Sequence, residues 1–329
     1  MNGGGALTVS GGGAVMLTGT ASHSGGTMIA AGAILQIGNG GTTGWLAGNV
    51  VTNGTLSFYR SDDIVFAGDI SGSGGVTLMG TAKVTLTGNN TYSGATTVGG
   101  GVIVASSDAQ LGPSGNALIL NGGAVQTTAS FATARPIELG ANGGTFDTNG
   151  NTLTLSGTLS GDGRLTKAGA GTLILFGISS YIGGTTVSGG TLQGTTDTLL
   201  GDITNNATVA FIQTTAGTYG GVLSGTGAVA IDGNITFTGT NTYSGLTTIS
   251  MGSSLTFGGT GSIQGNVANS GTLQFAGTGT STFGGEISGS GAVEQVSGTT
   301  VLTGTSSYTG GTTISGGTLR LGVGGNLAL

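Results

Sequence analysis
The chain has 329 residues, of which 75 are glycine, 2 proline, 1 histidine and none cysteine; 6 basic and 12 acidic side chains leave a net charge of −6. Glycine costs a helix interior about 1 kcal/mol relative to alanine, and the longest glycine-free stretch, Ala124–Leu139, contains Pro136. Long helices are therefore excluded, as is collagen, whose three-residue glycine period is absent. Disorder is excluded by 36% hydrophobic against 5% charged residues, the reverse of a disordered composition. The cations Arg60, Lys83, Arg135, Arg164, Lys167 and Arg320 form no stripe, so nucleic acid is not an expected partner. The lack of cysteine removes disulfide and thiolate–metal frameworks. No apolar run reaches the length of a membrane helix, and Met1-Asn2-Gly3 has neither the basic start nor the apolar core of a signal peptide.

In chain order, Gly3-Gly4-Gly5-Ala6-Leu7-Thr8-Val9 opens inside a strand pattern. His23-Ser24-Gly25-Gly26-Thr27-Met28-Ile29 is a degenerate first copy of a phrase that returns as Tyr92-Ser93-Gly94-Ala95-Thr96-Thr97-Val98. Further copies are Tyr181-Ile182-Gly183-Gly184-Thr185-Thr186-Val187, Tyr243-Ser244-Gly245-Leu246-Thr247-Thr248-Ile249 and Tyr308-Thr309-Gly310-Gly311-Thr312-Thr313-Ile314. The intervals between successive copies are unequal, but a unit of roughly 22 residues divides them into about three, four, three and three turns, a solenoid period rather than that of propeller blades.

Between the phrases apolar residues on one face alternate with mostly hydroxyls on the other, as in Val84-Thr85-Leu86-Thr87 and Ile235-Thr236-Phe237-Thr238, a pattern kept in part by Leu173-Ile174-Leu175 and Val301-Leu302-Thr303. Period-two alternation marks half-buried strands. Glycine pairs separate them: Ser188-Gly189-Gly190-Thr191-Leu192 recurs as Ser315-Gly316-Gly317-Thr318-Leu319, and glycine takes the positive φ of such corners without steric cost. Strands this short bury their apolar face only by stacking on the equivalent strand of the next turn, about 4.8 Å away. The expected fold is all-β, a right-handed parallel β-helix (β-solenoid) of roughly 22 residues per turn, with aliphatic ladders inside and threonines outside. Residues 1–329 are expected to form a single continuous β-helix, and the strand pattern at Leu319-Arg320-Leu321 makes it read as a piece of a longer solenoid.

The repeating segments also resemble a family. Leu159-Ser160-Gly161-Asp162-Gly163-Arg164-Leu165 through Leu175, followed by Tyr181 through Leu192, is similar to the autotransporter-associated β-strand repeat, also called the passenger-associated transport repeat, of type V secreted proteins. Similar copies begin near Ile70, Leu223 and Ile287, each with Ser-Gly-x-Gly. Gly265 through Phe275 echoes Gly48 through Phe58, and Thr133-Ala134-Arg135-Pro136-Ile137 through Gly150 is another phrase typical of these passengers. The resemblance implies a right-handed β-helix at the surface of a Gram-negative bacterium, attached to the outer membrane through a C-terminal membrane barrel outside this segment.

Candidate chemistry is sparse. His23 stands in a tyrosine slot and reads as a drifted repeat position; Asp62-Asp63, with Tyr59 and Arg60, reads as a solvated loop. Asp162 lies in a turn, and the other acids are scattered. The phrase tyrosines form either an exposed row able to stack on sugars or, as their repeat spacing favours, a ladder of stacked corner rings. No residue is assigned a catalytic, cofactor-binding or metal-ligating role, and no cofactor is expected. A non-catalytic stalk or adhesin scaffold is the expected function, with self-association or glycan and host-surface binding through threonine-rich faces as the alternative. A polysaccharide-active enzyme needs convergent carboxylates, and a threonine-array ice binder needs more than the Thr85-Leu86-Thr87 and Thr152-Leu153-Thr154 triplets supply.

Overall fold
A computed structural model describes residues 3–327. It comprises two compact units, Met1–Leu173 with Gly177–Gly183, and Ile174–Phe176 with Gly184–Leu329. Among the described residues all regular structure is strand apart from one 3₁₀ turn, Asp108–Leu111. The strands pair in parallel, and each pairing joins one turn to the next.

In the first unit one sheet runs Leu7–Val9, Thr27–Ile29, Val50–Thr52 and Ile70–Ser71. A second passes through Thr55–Arg60, Gly75–Gly80, Thr96–Val98, Leu118–Leu120 and Ile137–Leu139 to Leu159–Gly161. A third includes Ile64–Phe66, Lys83–Leu86, Val102–Ala105, Ala124–Thr127, Gly144–Asp147 and Leu165–Ala168. In the second unit one sheet takes Thr185–Val187, Ile203–Asn205 and Leu223–Ser224. Another runs from Thr191–Gly194 through Thr208–Ile212, Ala228–Asp232, Thr247–Ile249 and Val267–Asn269 to Ile287–Ser288. The last holds Gly217–Tyr219, Asn234–Phe237, Ser254–Gly259, Thr272–Phe283 and Ala292–Leu302.

The register places like over like. Leu35, Leu56 and Val76 form one buried ladder, and Val209, Val229, Thr247, Val267 and Ile287 form another. Burying each such Val, Leu or Ile side chain contributes about 1.5–3 kcal/mol, and parallel strands buried among mostly apolar neighbours are stabilised by the turns above and below them. Leu56, Val76 and Thr96 are successive register partners, evenly spaced in the chain. Among the paired strands the shortest step runs from Thr191 to Thr208 and the longest from Thr20 to Trp45. The turn is about 20 residues long, shorter than the phrase spacing in the sequence suggests.

Corners satisfy the same spacing with side chains. Asn49 and Asp69 carboxamide and carboxylate oxygens accept from the backbone N–H groups of Asp69 and Asn89 at 2.9 and 2.7 Å. Asn53, Asp63, Asp202 and Asn266 accept likewise from Ser73, Lys83, Val222 and Glu286. Buried Asn205 and Asn269 donate to the carbonyls of Ala228 and Ala292 on the following turn, both at 2.8 Å. Backbone groups that strands leave unpaired at a bend are thus bonded to the next turn.

Leu173 and Leu175 are both buried. Leu173→Asp is predicted to destabilise the fold by several kcal/mol through burial of an unpaired charge, whereas Thr172→Asp, one residue outward, should cost under about 1 kcal/mol. Chemical unfolding of the two variants checks this.

Candidate functional site
The recurring phrase is the feature that the sequence marks out most strongly, and its geometry recurs from copy to copy. Tyr92, Tyr181, Tyr243 and Tyr308 are all buried. The hydroxyls of Tyr92 and Tyr243 share hydrogen bonds of 2.6 and 2.7 Å with Thr96 and Thr247, four residues on, and Tyr308 pairs with Thr312. His23 Nε2 makes the equivalent 3.0 Å bond to Thr27, so it is a substituted tyrosine position. The first threonine of the phrase points inward into an aliphatic ladder, as Thr96 does between Val76 and Leu118. The threonines are therefore not all outside, because these ones serve the tyrosine.

The phrase rests on the Ser-Gly-x-Gly motif of the turn below. Thr91 and Tyr92 N–H groups both donate to the Ile70 carbonyl, and Ser93 and Gly94 donate to Gly72 and Gly74. Thr242 and Tyr243 treat Leu223 in the same way, and Ser244 donates to Gly225. The first glycine of each motif, such as Gly72 and Gly225, has φ of 103° and 98°, which favours glycine. The phrase glycine answers a different need: a Cβ on Gly94 would lie 2.6 Å from the Gly74 carbonyl, and one on Gly245 only 2.1 Å from that of Gly227. Two glycines face each other because the turns touch there.

This interlock ends one sheet and leads into another. The sheet containing Thr27–Ile29 ends at Ile70–Ser71 beneath the Tyr92 segment, and Thr96–Val98 joins the next sheet. That sheet ends at Leu159–Gly161 beneath the Tyr181 segment. In the second unit the sheet of Thr185–Val187 ends at Leu223–Ser224 under Tyr243, and that of Thr247–Ile249 ends at Ile287–Ser288 under the Tyr308 segment. Successive phrases within a unit thus lie on different faces, each a whole number of turns and about one third beyond the last. The tyrosines form neither an exposed row nor a stacked ladder.

Charged groups are drawn into the same structural work. Arg60 pairs with Asp62 at 2.7 Å and donates to the carbonyls of Thr42 and Gly44, while Asp63 accepts from Lys83 N–H; the acidic pair lies in the bend between two strands, where Asp63 is exposed and Asp62 half-exposed. Fully buried Arg135 pairs with Asp108 at 2.7 Å and donates to the carbonyls of Asp108, Leu111, Gly112 and Asn116. It gathers the segment around the 3₁₀ turn, and the planar five-donor guanidinium suits that task where lysine does not. Lys167 continues the ladder Val125–Phe146 and is fully buried, its Nζ donating to the carbonyls of Ala168 and Gly169 at 2.8 and 2.7 Å. Burial lowers its pKa from 10.5 to about 8, against the opposing effect of Asp147.

Among the described residues no three His, Cys, Asp or Glu side chains group as metal ligands would. One cleft of about 360 Å³ lies in the second unit between Gly259–Ser262 and Gly277–Thr282, over Phe257 and Phe275, with no charged side chain in its lining. Another, of about 460 Å³, is bounded by Phe176, Ile212 and Asp232.

Five segments, residues 7–37, 72–105, 165–193, 232–253 and 297–321, match the passenger-associated-transport-repeat family. Each contains one copy of the phrase. The chain carries the transport repeat of autotransporter passengers. It is also 37% identical over 148 residues to the Adhesin BmaC autotransporter of Brucella suis biovar 1 (strain 1330), a match covering 44% of this chain and 4% of that relative. No solved structure matches it. The passenger repeat therefore coincides with the interlocked tyrosine joint.

The joint and the buried lysine are each open to measurement. Tyr243→Phe should cost about 1 kcal/mol for the lost hydroxyl bond and Tyr243→Ala about 3–5 kcal/mol for the cavity, measured by urea unfolding. For Lys167, the unfolded side chain holds its proton up to about pH 10.5 while the folded one loses it near pH 8. Between these values the unfolded state binds more protons, so stability rises with pH. Unfolding of wild type and Lys167→Met across this window should show that rise in the wild type alone.

Proposed function
We propose that this chain is a surface-displayed segment of an autotransporter passenger that serves as a non-catalytic β-helical stalk and adhesin scaffold. The observation that carries this reading is the coincidence of each family segment with a structural joint. The motifs that recur most strongly maintain the winding, and the acids and amides beside them bond the neighbouring turn. The similarity to an adhesin autotransporter supports the adhesive part. An outer-membrane barrel elsewhere in the full protein would supply the anchor.

Surface binding, to another cell or to a glycan, is favoured by apolar side chains in outward positions of one copy: Phe176, Ile178 and Ile182 are each about three-quarters exposed. Cells displaying residues 1–329 on a membrane barrel are predicted to settle faster, or to adhere better to a cell layer, than cells displaying the barrel alone. Unchanged settling and adherence would overturn the adhesive reading.

A further inference from the structure
The copies of the repeat share an outward slot immediately after a buried strand residue and before a glycine. It holds Thr18, Thr87, Thr238 and Thr303, but in one copy it holds Phe176. Two residues before that slot the copies hold Met16, Thr85, Ile174, Thr236 and Val301, so Ile174 widens the apolar surface around Phe176 without being an exception. Phe176 is 77% exposed and Ile212 40%. Isolated surface apolar residues need no explanation. Here, however, Ile174, Phe176 and Ile212 line one cleft of about 460 Å³, together with Gln193, Thr195 and Asp232. Ile212 is the register partner of Asp232, which puts a carboxylate on the turn beside the apolar floor.

We propose that this cleft binds a terminal neutral pyranose of a glycan, with Phe176 as the stacking platform. This rests on the surface-binding reading above. The ring offers an apolar face to the C–H side of a sugar, and Asp232 and Gln193 supply acceptors and donors for its hydroxyls; the Thr195 hydroxyl is already bonded to Thr198 and to the Asp197 N–H. The volume falls within the range of small-ligand pockets, about 300–1,000 Å³. Eleven residues line the cleft, against about 20–30 a side in a stable protein interface, so a second copy of the chain is the poorer occupant. Asp232 is the one charged side chain in the lining and disfavours an anionic sugar. Phe176 is the exposed aromatic of this cleft, whereas the phrase tyrosines are buried.

The test uses residues 1–329 on an array of neutral oligosaccharides, followed by titration of the methyl glycosides of the sugars retained. Phe176→Thr restores the residue usual in other copies and should fold as the wild type does, checked by thermal melting. It is expected to weaken sugar binding at least tenfold, while Phe176→Trp retains it and Asp232→Asn reduces it. Absence of sugar binding by the wild type, or equal binding by Phe176→Thr, would overturn the proposal. So would a wild-type dimer that Phe176→Thr converts to monomer without any sugar bound. Displayed Phe176→Thr cells that still clump would leave the adhesive reading standing while wild-type failure on the array removes the sugar site.

Discussion

Each turn takes its backbone partners from the turns on either side of it, and the rest of the structure answers to that constraint. Parallel stacking puts equivalent residues at one spacing along the ladder, so even a very short strand is stable if its inward positions are apolar in every turn. It also explains why glycine is so abundant without being everywhere a matter of torsion. Gly72 and Gly225 occupy positive φ, whereas Gly94 and Gly245 are small because another backbone lies against them.

The constraint is hardest to meet where a sheet ends, and there the protein places its most conspicuous motif. Two successive N–H groups share the Ile70 or Leu223 carbonyl. Asn90 and Asn241 side chains accept from the N–H of those same residues, at 3.1 and 2.8 Å. The tyrosine then fills the interior and pins the first threonine of the next strand. Sequence repetition at this position records a mechanical requirement, which is why the family repeat and the joint coincide.

Much of the fold is legible in the residues. Alternation in Val84-Thr85-Leu86 and Ile235-Thr236-Phe237 identifies buried and outward faces correctly, since Val84, Leu86, Ile235 and Phe237 are all buried. Counting whole turns between phrases overstates the period, because the fractional advance shows only once the sheet order is known. His23 is readable by its slot. Arg135 and Lys167 are not: charge ordinarily marks an outside position, and only tertiary packing shows the carbonyls that receive their N–H groups. Phe176 emerges from sequence only when the copies are aligned on their outward hydroxyl slots, a comparison that looks for the exception rather than the repeat.

The register is open to a direct test because the chain contains no cysteine. Thr77 and Thr97 are register partners on neighbouring strands, and parallel neighbours about 4.8 Å apart fall within the roughly 4.4–6.8 Å Cα separation that a disulfide accepts. The double variant Thr77→Cys with Thr97→Cys should form an intramolecular disulfide on mild oxidation, while Thr77→Cys with Gly99→Cys, the pair that the longer period would juxtapose, should remain reduced. Rapid bridging of the second pair and not the first would contradict the stacking on which the fold rests.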